Sequence, residues 1–159
     1  MIRKATEQDL PAFAEIYEAA RRYMRANGNQ NQWTGGYPSE EWLREDIENG
    51  ELYAVEREGK TVGAFVLMLR EEPTYAVIEG AWHQNKPYGV IHRIAQNGTA
   101  RGIFTEVEAF AFTKTDYLRI DTHADNKVMQ GVLAAHGFAP CGTIYLETGD
   151  PRLAYDKRK

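Results

Sequence analysis

The chain has 159 residues, and its 19 lysines and arginines are outnumbered by 23 aspartates and glutamates, which gives a formal net charge of −4. This length predicts one domain over residues 1–159. The acidic balance argues against a nucleic-acid partner, which needs a basic surface.

The longest clearly apolar run, Ala64–Leu69, has six residues, whereas a membrane-spanning helix needs about 20, so no membrane partner is expected. Cys141 is the only cysteine, which excludes an intrachain disulfide and favours a reducing, cytoplasmic location.

The first half of the chain predicts one strand, two helices and a hairpin. Residues 2–5 favour a strand, and the helix after it is capped by Asp9 and ended by Asn27-Gly28-Asn29. Ser39 caps a second helix, which Asn49-Gly50 ends. The inward face of the first helix carries apolar residues spaced three and four apart: Leu10, Phe13, Ile16, Tyr17, Ala20 and Met24. The hairpin consists of strands at Leu52–Val55 and Val62–Leu69 around a turn at residues 58–60.

The second half alternates strands with helices. Tyr75–Trp82 and Tyr88–Ala95 predict strands, and the apolar, β-branched character of the latter favours a central position. A glycine-containing turn at residues 97–102 precedes a helix with Ile103, Val107, Phe110 and Ala111 inward. Tyr117–Thr122 is a strand, and Asn126 opens a helix with Val128, Met129, Val132 and Leu133 inward, which Gly137 ends. Phe138–Leu146 and Leu153–Asp156 close the chain as a hairpin.

This order of elements predicts an α/β fold. Strands and helices alternate only in the second half, so the sheet cannot be wholly parallel. We therefore expect a mixed, mostly antiparallel, twisted sheet of about seven strands, flanked by helices on both faces.

The strand at Tyr88–Ala95, the turn and the following helix form the most informative local pattern. Such a strand-turn-helix unit directs backbone N–H groups and a helix N-terminus at one point, which suits a phosphate or pyrophosphate. An ordinary strand-to-helix turn that uses glycine for its backbone freedom explains the pattern equally well. The turn has neither the Gly-Lys-Ser/Thr of a P-loop nor a G-x-G-x-x-G fingerprint.

Several stretches, taken in their order and spacing, resemble a known family over nearly the whole chain. They are Ile2–Leu10, Tyr53–Gly63, Ile91–Ala95, Asp121–Met129 with Gly137-Phe138, Cys141–Tyr145 and Arg152–Lys157. Together they resemble the GNAT superfamily of acyl-CoA-dependent N-acetyltransferases, in its small, single-domain bacterial form.

The resemblance implies an acyl-CoA co-substrate, with acetyl-CoA the expected one. In the family, two central strands splay apart and pantetheine lies in the gap, so backbone groups of Ile94, Ala95 and Gln96 would pair with its amides. Asn126 would face the cofactor. The turn that would cradle the pyrophosphate comprises Arg101, Gly102, Ile103, Phe104 and Thr105.

Two positions depart from the family pattern. Phe104 stands in the phosphate turn where a small residue is usual, and Leu133 stands where the family has a tyrosine that protonates the leaving thiolate. A thiolate with a pKa near 8.5 needs little help to leave, so the loss of that tyrosine is compatible with transfer.

Transfer to an amine also needs a group that removes a proton, and three residues are candidates. His92 lies on the strand beside the expected thioester and titrates in a suitable range. His123 at the end of a strand and Glu79, which would hold a water molecule, are the others. Each has a structural alternative: a buried histidine bonded to a neighbour, a turn histidine and a solvated carboxylate, respectively.

Four aromatic residues are candidates for the wall of an acceptor pocket, with core packing as the alternative. They are Trp33 and Tyr37 in the loop at residues 29–38, together with Trp82 and Tyr88. No His, Asp or Glu residues show metal-ligand spacing, so no metal is predicted.

We therefore predict an acyltransferase that moves an acetyl group from acetyl-CoA to a primary amine of a small molecule or peptide by direct attack in a ternary complex. One alternative is a non-catalytic acyl-CoA-binding module, motivated by Phe104 and Leu133. The other is a domain that has lost the cofactor and binds a small ligand or partner. Relatives often dimerise through exposed strand edges, which makes a homodimer an expectation.

Overall fold

A computed structural model describes residues 1–159 and contains eight strands and four α-helices. The strands are β1 (Ile2–Lys4), β2 (Leu52–Arg57), β3 (Lys60–Met68), β4 (Glu79–Gly80), β5 (Gly89–Gln96), β6 (Tyr117–Thr122), β7 (Ala139–Tyr145) and β8 (Pro151–Arg158). The helices are α1 (Leu10–Ala26), α2 (Glu40–Glu48), α3 (Ile103–Ala111) and α4 (Lys127–Ala135). None of the helices has the length and apolar character needed to cross a bilayer.

The eight strands form one sheet in the order β1-β2-β3-β5-β6-β8-β7-β4. Only β5 and β6 pair in parallel, and every other pair is antiparallel. The predicted α/β fold with a mixed, mostly antiparallel sheet is therefore confirmed, with eight strands instead of about seven.

Helices cover both faces of the sheet, as predicted. On one face, α1 and α2 contribute Phe13, Ile16 and Leu43 to an apolar cluster with β2, β3 and β5. On the other face, α3 and α4 contribute Val107 and Leu133 to a second cluster. The sheet is buried from two sides, which explains why β3 reads as a nearly continuous apolar run.

The predicted strand at Tyr75–Trp82 is wrong over most of its length. Pro73–Tyr75 form a 3₁₀ turn, and only Glu79 and Gly80 pair with another strand, β7. The Trp82 indole Nε1–H donates to the carbonyl of Tyr75 at 3.1 Å, and the two rings lie 5.0 Å apart. The aromatic residues therefore fold the segment back on itself instead of alternating along a strand.

Strands β5 and β6 separate soon after they meet. Their pairing is limited to Gly89 with Leu118 and Val90 with Arg119. Beyond this point β5 also bulges against β3, where Arg93 has a φ of +48°. The bulge and the short pairing open a gap in the middle of the sheet, and this gap positions the site described next.

Candidate active site

A cavity of about 410 Å³ lies where β5 and β6 diverge. We call it the cleft. Its walls come from the C-terminal half of α1, the end of β5 and the first turns of α3 and α4. The apolar side chains from α1 and α4 are Ala19, Ala20, Tyr23, Met24, Val128, Met129 and Val132. A concave, mostly apolar pocket of this size is typical of a small-molecule or cofactor site.

The cleft changes the interpretation of two apolar helix faces. Ala20 and Met129 pack against the two core clusters, as predicted, and also line the cleft. Met24 and Val132, which were predicted to point inward as well, also line the cleft. Val128 is 41% exposed, so its predicted burial is wrong. A helix face that borders a cavity has the same apolar spacing as one that packs in a core, and the spacing alone cannot separate the two.

Six of the nine residues that the resemblance assigned to the cofactor line the cleft. They are Ile94, Ala95, Gln96, Ile103, Phe104 and Asn126. The other three, Arg101, Gly102 and Thr105, belong to the turn and first turn of α3 but are not in the lining. The cleft and the strand-turn-helix unit thus occupy one region of the fold.

The N-terminus of α3 presents free backbone donors at one end of the cleft. Gly102 caps the helix with a φ of +72°, and the first helical hydrogen bond runs from the Glu106 N–H to the Gly102 carbonyl at 3.1 Å. The earlier N–H groups, at Ile103, Phe104 and Thr105, have no helical acceptor and suit an anion. The Phe104 ring packs 4.8 Å from His136 and 6.0 Å from Phe138, so it is held by these rings.

Asn126 ties the cleft to the loop after α1. Its side-chain Oδ1 accepts from the Met129 N–H at 3.0 Å, which caps α4, and its Nδ2 donates to Gln32 Oε1 at 3.0 Å. Asn29 donates to the same Gln32 oxygen at 2.9 Å. The Asn29 Oδ1 atom is buried without a hydrogen-bond partner, and the residue lines the cleft. It is therefore a buried acceptor that no group of the chain satisfies.

The sequence did not identify Asn29 or Gln32 as site residues. The available signal was a cluster of polar amide side chains directly after a helix, which is also typical of an ordinary loop. Their role depends on contact with Asn126, which lies 94 residues beyond Gln32 in the chain.

His92 forms a close pair with Glu72. Its Nε2 lies 3.0 Å from Glu72 Oε2, and both side chains are largely buried. Burial alone would raise the pKa of Glu72, but the hydrogen bond and charge of His92 outweigh it and lower this pKa to about 2. The carboxylate is therefore ionised at neutral pH and can only accept. Nε2 must carry the proton, which leaves Nδ1 of a neutral His92 as the basic atom.

This pairing predicts a pH-dependent stability difference between the wild type and Glu72→Gln. A carboxyl with a lowered folded-state pKa stabilises the fold above its unfolded pKa of about 4.3 and loses that contribution as pH falls towards 2. At pH 5 we expect the free energy of unfolding of Glu72→Gln to be about 2–3 kcal/mol lower than that of the wild type. Urea titrations between pH 5 and pH 2 should show the difference shrinking to near zero. A constant difference across that range would contradict the assignment.

His123 and Glu79 have different environments from His92. The Nδ1 atom of His123 accepts from the Asp125 N–H at 2.9 Å, so its lone pair is already engaged. Burial and the nearby Arg152 lower the pKa of His123. Glu79 is exposed on β4, where it pairs with Thr143 at the edge of the sheet. None of the three candidate bases lines the cleft.

The four aromatic candidates are engaged in packing and hydrogen bonds, and none lines the cleft. Trp33 packs 5.6 Å from Tyr17, and the Tyr37 hydroxyl accepts from Arg93 at 2.7 Å. Trp82 and Tyr88 hold the guanidinium of Arg119 between them, at 4.3 and 4.2 Å from their ring centres. The Tyr88 hydroxyl also accepts from the Glu72 N–H at 2.9 Å, which helps to place the partner of His92.

A buried ion pair supports the bulge in β5. The Arg93 guanidinium donates to both oxygens of Asp46 on α2, each at 2.8 Å, and the Arg93 carbonyl accepts from the Tyr17 hydroxyl at 2.6 Å. Asp46 is 4% exposed. The backbone beside the cleft is thus held by α1 and α2 together.

Comparisons with known proteins agree with this architecture. A sequence profile of the acetyltransferase (GNAT) domain matches residues 1–139. A GNAT-family acetyltransferase from Streptococcus agalactiae 2603 is 31% identical, with a TM-score of 0.88, and the match covers 100% of this chain and 95% of that one. A protein from Staphylococcus aureus Mu50, provisionally assigned as an acetyltransferase, is 27% identical, with a TM-score of 0.73 and coverage of 99% and 98%.

A more distant structure shares the fold. The ribosomal-protein-alanine N-acetyltransferase from Brucella melitensis is 22% identical, with a TM-score of 0.61, and the match covers 100% of this chain and 99% of that one. A search of curated protein sequences finds no match.

Proposed function

Since the chain belongs to the GNAT family of acetyltransferases, we propose that it transfers the acetyl group of acetyl-CoA to a primary amine on a small molecule or peptide. We propose further that the 159 residues act as one catalytic domain and that the amine attacks directly in a ternary complex. The observation that carries this proposal is the cleft between the diverging ends of β5 and β6, with free N–H donors at its α3 end.

The described residues fit an acyl-CoA. The backbone of Ile94, Ala95 and Gln96 would hold the pantetheine, because β5 has no β6 partner there and these residues line the cleft. The α3 N-terminus would hold the pyrophosphate. Asn29, which lines the cleft, has a buried Oδ1 without a partner and is one more candidate acceptor for the co-substrate. When bound, the co-substrate supplies the activated acetyl group.

His92 is the base that the geometry favours. Glu72 fixes the Nε2–H of its ring, so Nδ1 can accept a proton from the amine directly or through a water molecule. His123 is less suited, because its Nδ1 already accepts a backbone N–H and its Nε2 carries the proton in the neutral ring. Leu133 is fully buried, so any proton for the thiolate would come from solvent or another group.

We expect His92→Gln to lower kcat by about 100-fold at neutral pH, because general-base catalysis typically contributes 10²–10⁴-fold. The KM for acetyl-CoA should stay unchanged, since His92 does not line the cleft. His123→Gln is the matched control and should keep most of the activity. Steady-state assays of thiol release measure both. If His123→Gln causes the larger loss, the roles assigned to the two histidines are reversed.

The proposed function is tested first by binding and then by turnover. Calorimetry with acetyl-CoA and CoA should give 1:1 binding, and thiol release should then follow with at least one member of a panel of amino acids, polyamines and peptides. Binding with no turnover across the panel would favour the non-catalytic module. No binding at millimolar acetyl-CoA would favour a domain without the cofactor. Sedimentation of the same sample tests whether the chain forms the expected homodimer.

A further inference from the structure

Three side chains with metal-binding atoms meet outside the cleft, at the β7 and β8 side of the sheet. They are His83, which follows β4, Cys141 on β7 and Asp156 on β8. The His83 Nδ1, the Cys141 Sγ and a carboxylate oxygen of Asp156 all lie within 4.8 Å of one another. We propose that these three residues form a binding site for a divalent transition metal of the zinc class.

Two facing glycines bring the first two ligands together. Gly80 on β4 and Gly142 on β7 have φ values of +125° and +140°, and a Cβ on Gly80 would lie 2.2 Å from the Cys141 carbonyl oxygen. A Cβ on Gly142 would lie 2.0 Å from the carbonyl oxygen of Glu79. Only glycine permits this approach at both positions. The chain leaving β4 is thereby held against Cys141, and His83 follows three residues after Gly80.

Asp156 is oriented for the site by other groups. It is 3% exposed, and its Oδ2 accepts from the Tyr117 hydroxyl at 2.6 Å and from the His83 N–H at 2.7 Å. Its other oxygen, Oδ1, faces His83 Nδ1 at 2.7 Å. Hydrogen bonds that hold one carboxylate oxygen and direct the other at a neighbouring ligand atom are the usual support of a metal ligand.

Two of the three distances between the ligand atoms can be compared directly with those that zinc requires, and the third, from Cys141 Sγ to the Asp156 oxygen, is at most 4.8 Å. Zinc bonds of about 2.3 Å to sulfur and 2.0–2.1 Å to nitrogen place tetrahedral neighbours about 3.3–3.6 Å apart. Cys141 Sγ lies 3.4 Å from His83 Nδ1, which already fits. The His83–Asp156 contact must widen by about 0.6 Å from its hydrogen-bonded 2.7 Å. The His83 side chain is 54% exposed and is free to make that shift.

Charge and protons balance in this site. A thiolate and a carboxylate neutralise a divalent cation, and on binding the Cys141 thiol proton leaves to solvent while the His83 proton moves from Nδ1 to Nε2. Arg119, Lys157, Arg158 and Lys159 lie around the site or line the adjoining cavity of about 310 Å³. These cations would repel a site with net positive charge, and the two anionic ligands remove that repulsion by neutralising the metal.

The same three residues do not form a nucleophilic triad. In such a triad the two nitrogens of the histidine face the thiol and the carboxylate separately. Here Nδ1 of His83 contacts both Cys141 and Asp156, as ligands around one ion would. Burial and Asp156 also raise the pKa of the Cys141 thiol to about 12, which makes it a poor nucleophile without a metal.

Titration of the full chain with Co²⁺ tests the site, because a cobalt–thiolate bond has its own near-ultraviolet absorption band and Cys141 is the only cysteine. We expect the band to saturate at one Co²⁺ per chain and to disappear on addition of Zn²⁺. His83→Ala, at a half-exposed side chain, should weaken Co²⁺ binding at least tenfold. His136→Ala is the matched control, because His136 also pairs with a carboxylate, Glu108, at 2.8 Å but has no thiol beside it.

Either of two results would overturn the proposal. One is the absence of a thiolate band at excess Co²⁺ in the wild-type chain. The other is a band of unchanged strength in both His83→Ala and Asp156→Asn, which would mean that the thiol binds cobalt alone. Thermal unfolding of each variant shows whether it is folded. If Asp156→Asn does not fold, the strength of the cobalt band in His83→Ala alone decides the test.

Discussion

Replacing Ala19 by tryptophan is expected to weaken acetyl-CoA binding by roughly a thousandfold, equal to about 4 kcal/mol. Ala19 lines the cleft from α1, and the cleft has a volume of about 410 Å³. An indole placed there occupies space that the co-substrate needs, and a packed wall does not yield cheaply. Calorimetry with acetyl-CoA measures the loss directly.

The matched control is Ala14→Trp, at an exposed position on the same helix. It should bind acetyl-CoA as the wild type does. Equal affinity in Ala19→Trp and the wild type would mean that the co-substrate binds outside the cleft. In that case the proposed site would be wrong even if the chain still transfers acetyl groups.

Asp46→Ala is expected to lower the free energy of unfolding by about 3–5 kcal/mol, because it leaves the charge of Arg93 buried without its partner. The Arg93 side chain is 11% exposed and its two hydrogen bonds to Asp46 measure 2.8 Å. Urea unfolding followed by circular dichroism gives the value. Since Arg93 sits at the bulge beside the cleft, acetyl-CoA affinity should fall as well.

Two further variants separate the ion pair from general effects of charge. Glu45→Ala removes an exposed carboxylate next to Asp46 and should change stability by less than about 0.5 kcal/mol. Asp46→Leu combined with Arg93→Met replaces both charges by apolar groups and should recover much of the loss. If the double variant is as unstable as Asp46→Ala, the buried charge is not the cause.

Features set by neighbouring residues were predictable from the sequence. Ser39 at the start of α2 and Gly137 after α4 act locally, and the structure places both as expected.

The resemblance pointed to Ile94, Ala95 and Gln96 because it carries information about the β5–β6 gap that composition and periodicity lack. The Phe104 ring is held by residues at positions 136 and 138, which no local pattern indicates.

Features that depend on distant pairings were not predictable. The partner of Arg93 lies 47 residues away and the partner of His92 lies 20 away, so neither pair has a sequence signature. The prediction of no metal considered only ligand spacing along the chain, which carries no information on the meeting of His83, Cys141 and Asp156 through strand pairing. Spacing rules find sites built on one turn or one helix, and they miss sites assembled by a sheet.

The position of β8 has a consequence for how the chain is made. In the sheet, β8 lies between β6 and β7, yet it is the last of the eight strands to be synthesised. Until residues 151–158 have left the ribosome, the edges of β6 and β7 that pair with β8 in the finished sheet have no partner. An unpaired edge in a nascent chain is a template for pairing with other chains. Slow translation or premature termination near residue 150 would therefore leave the edges of β6 and β7 open to pairing with other chains.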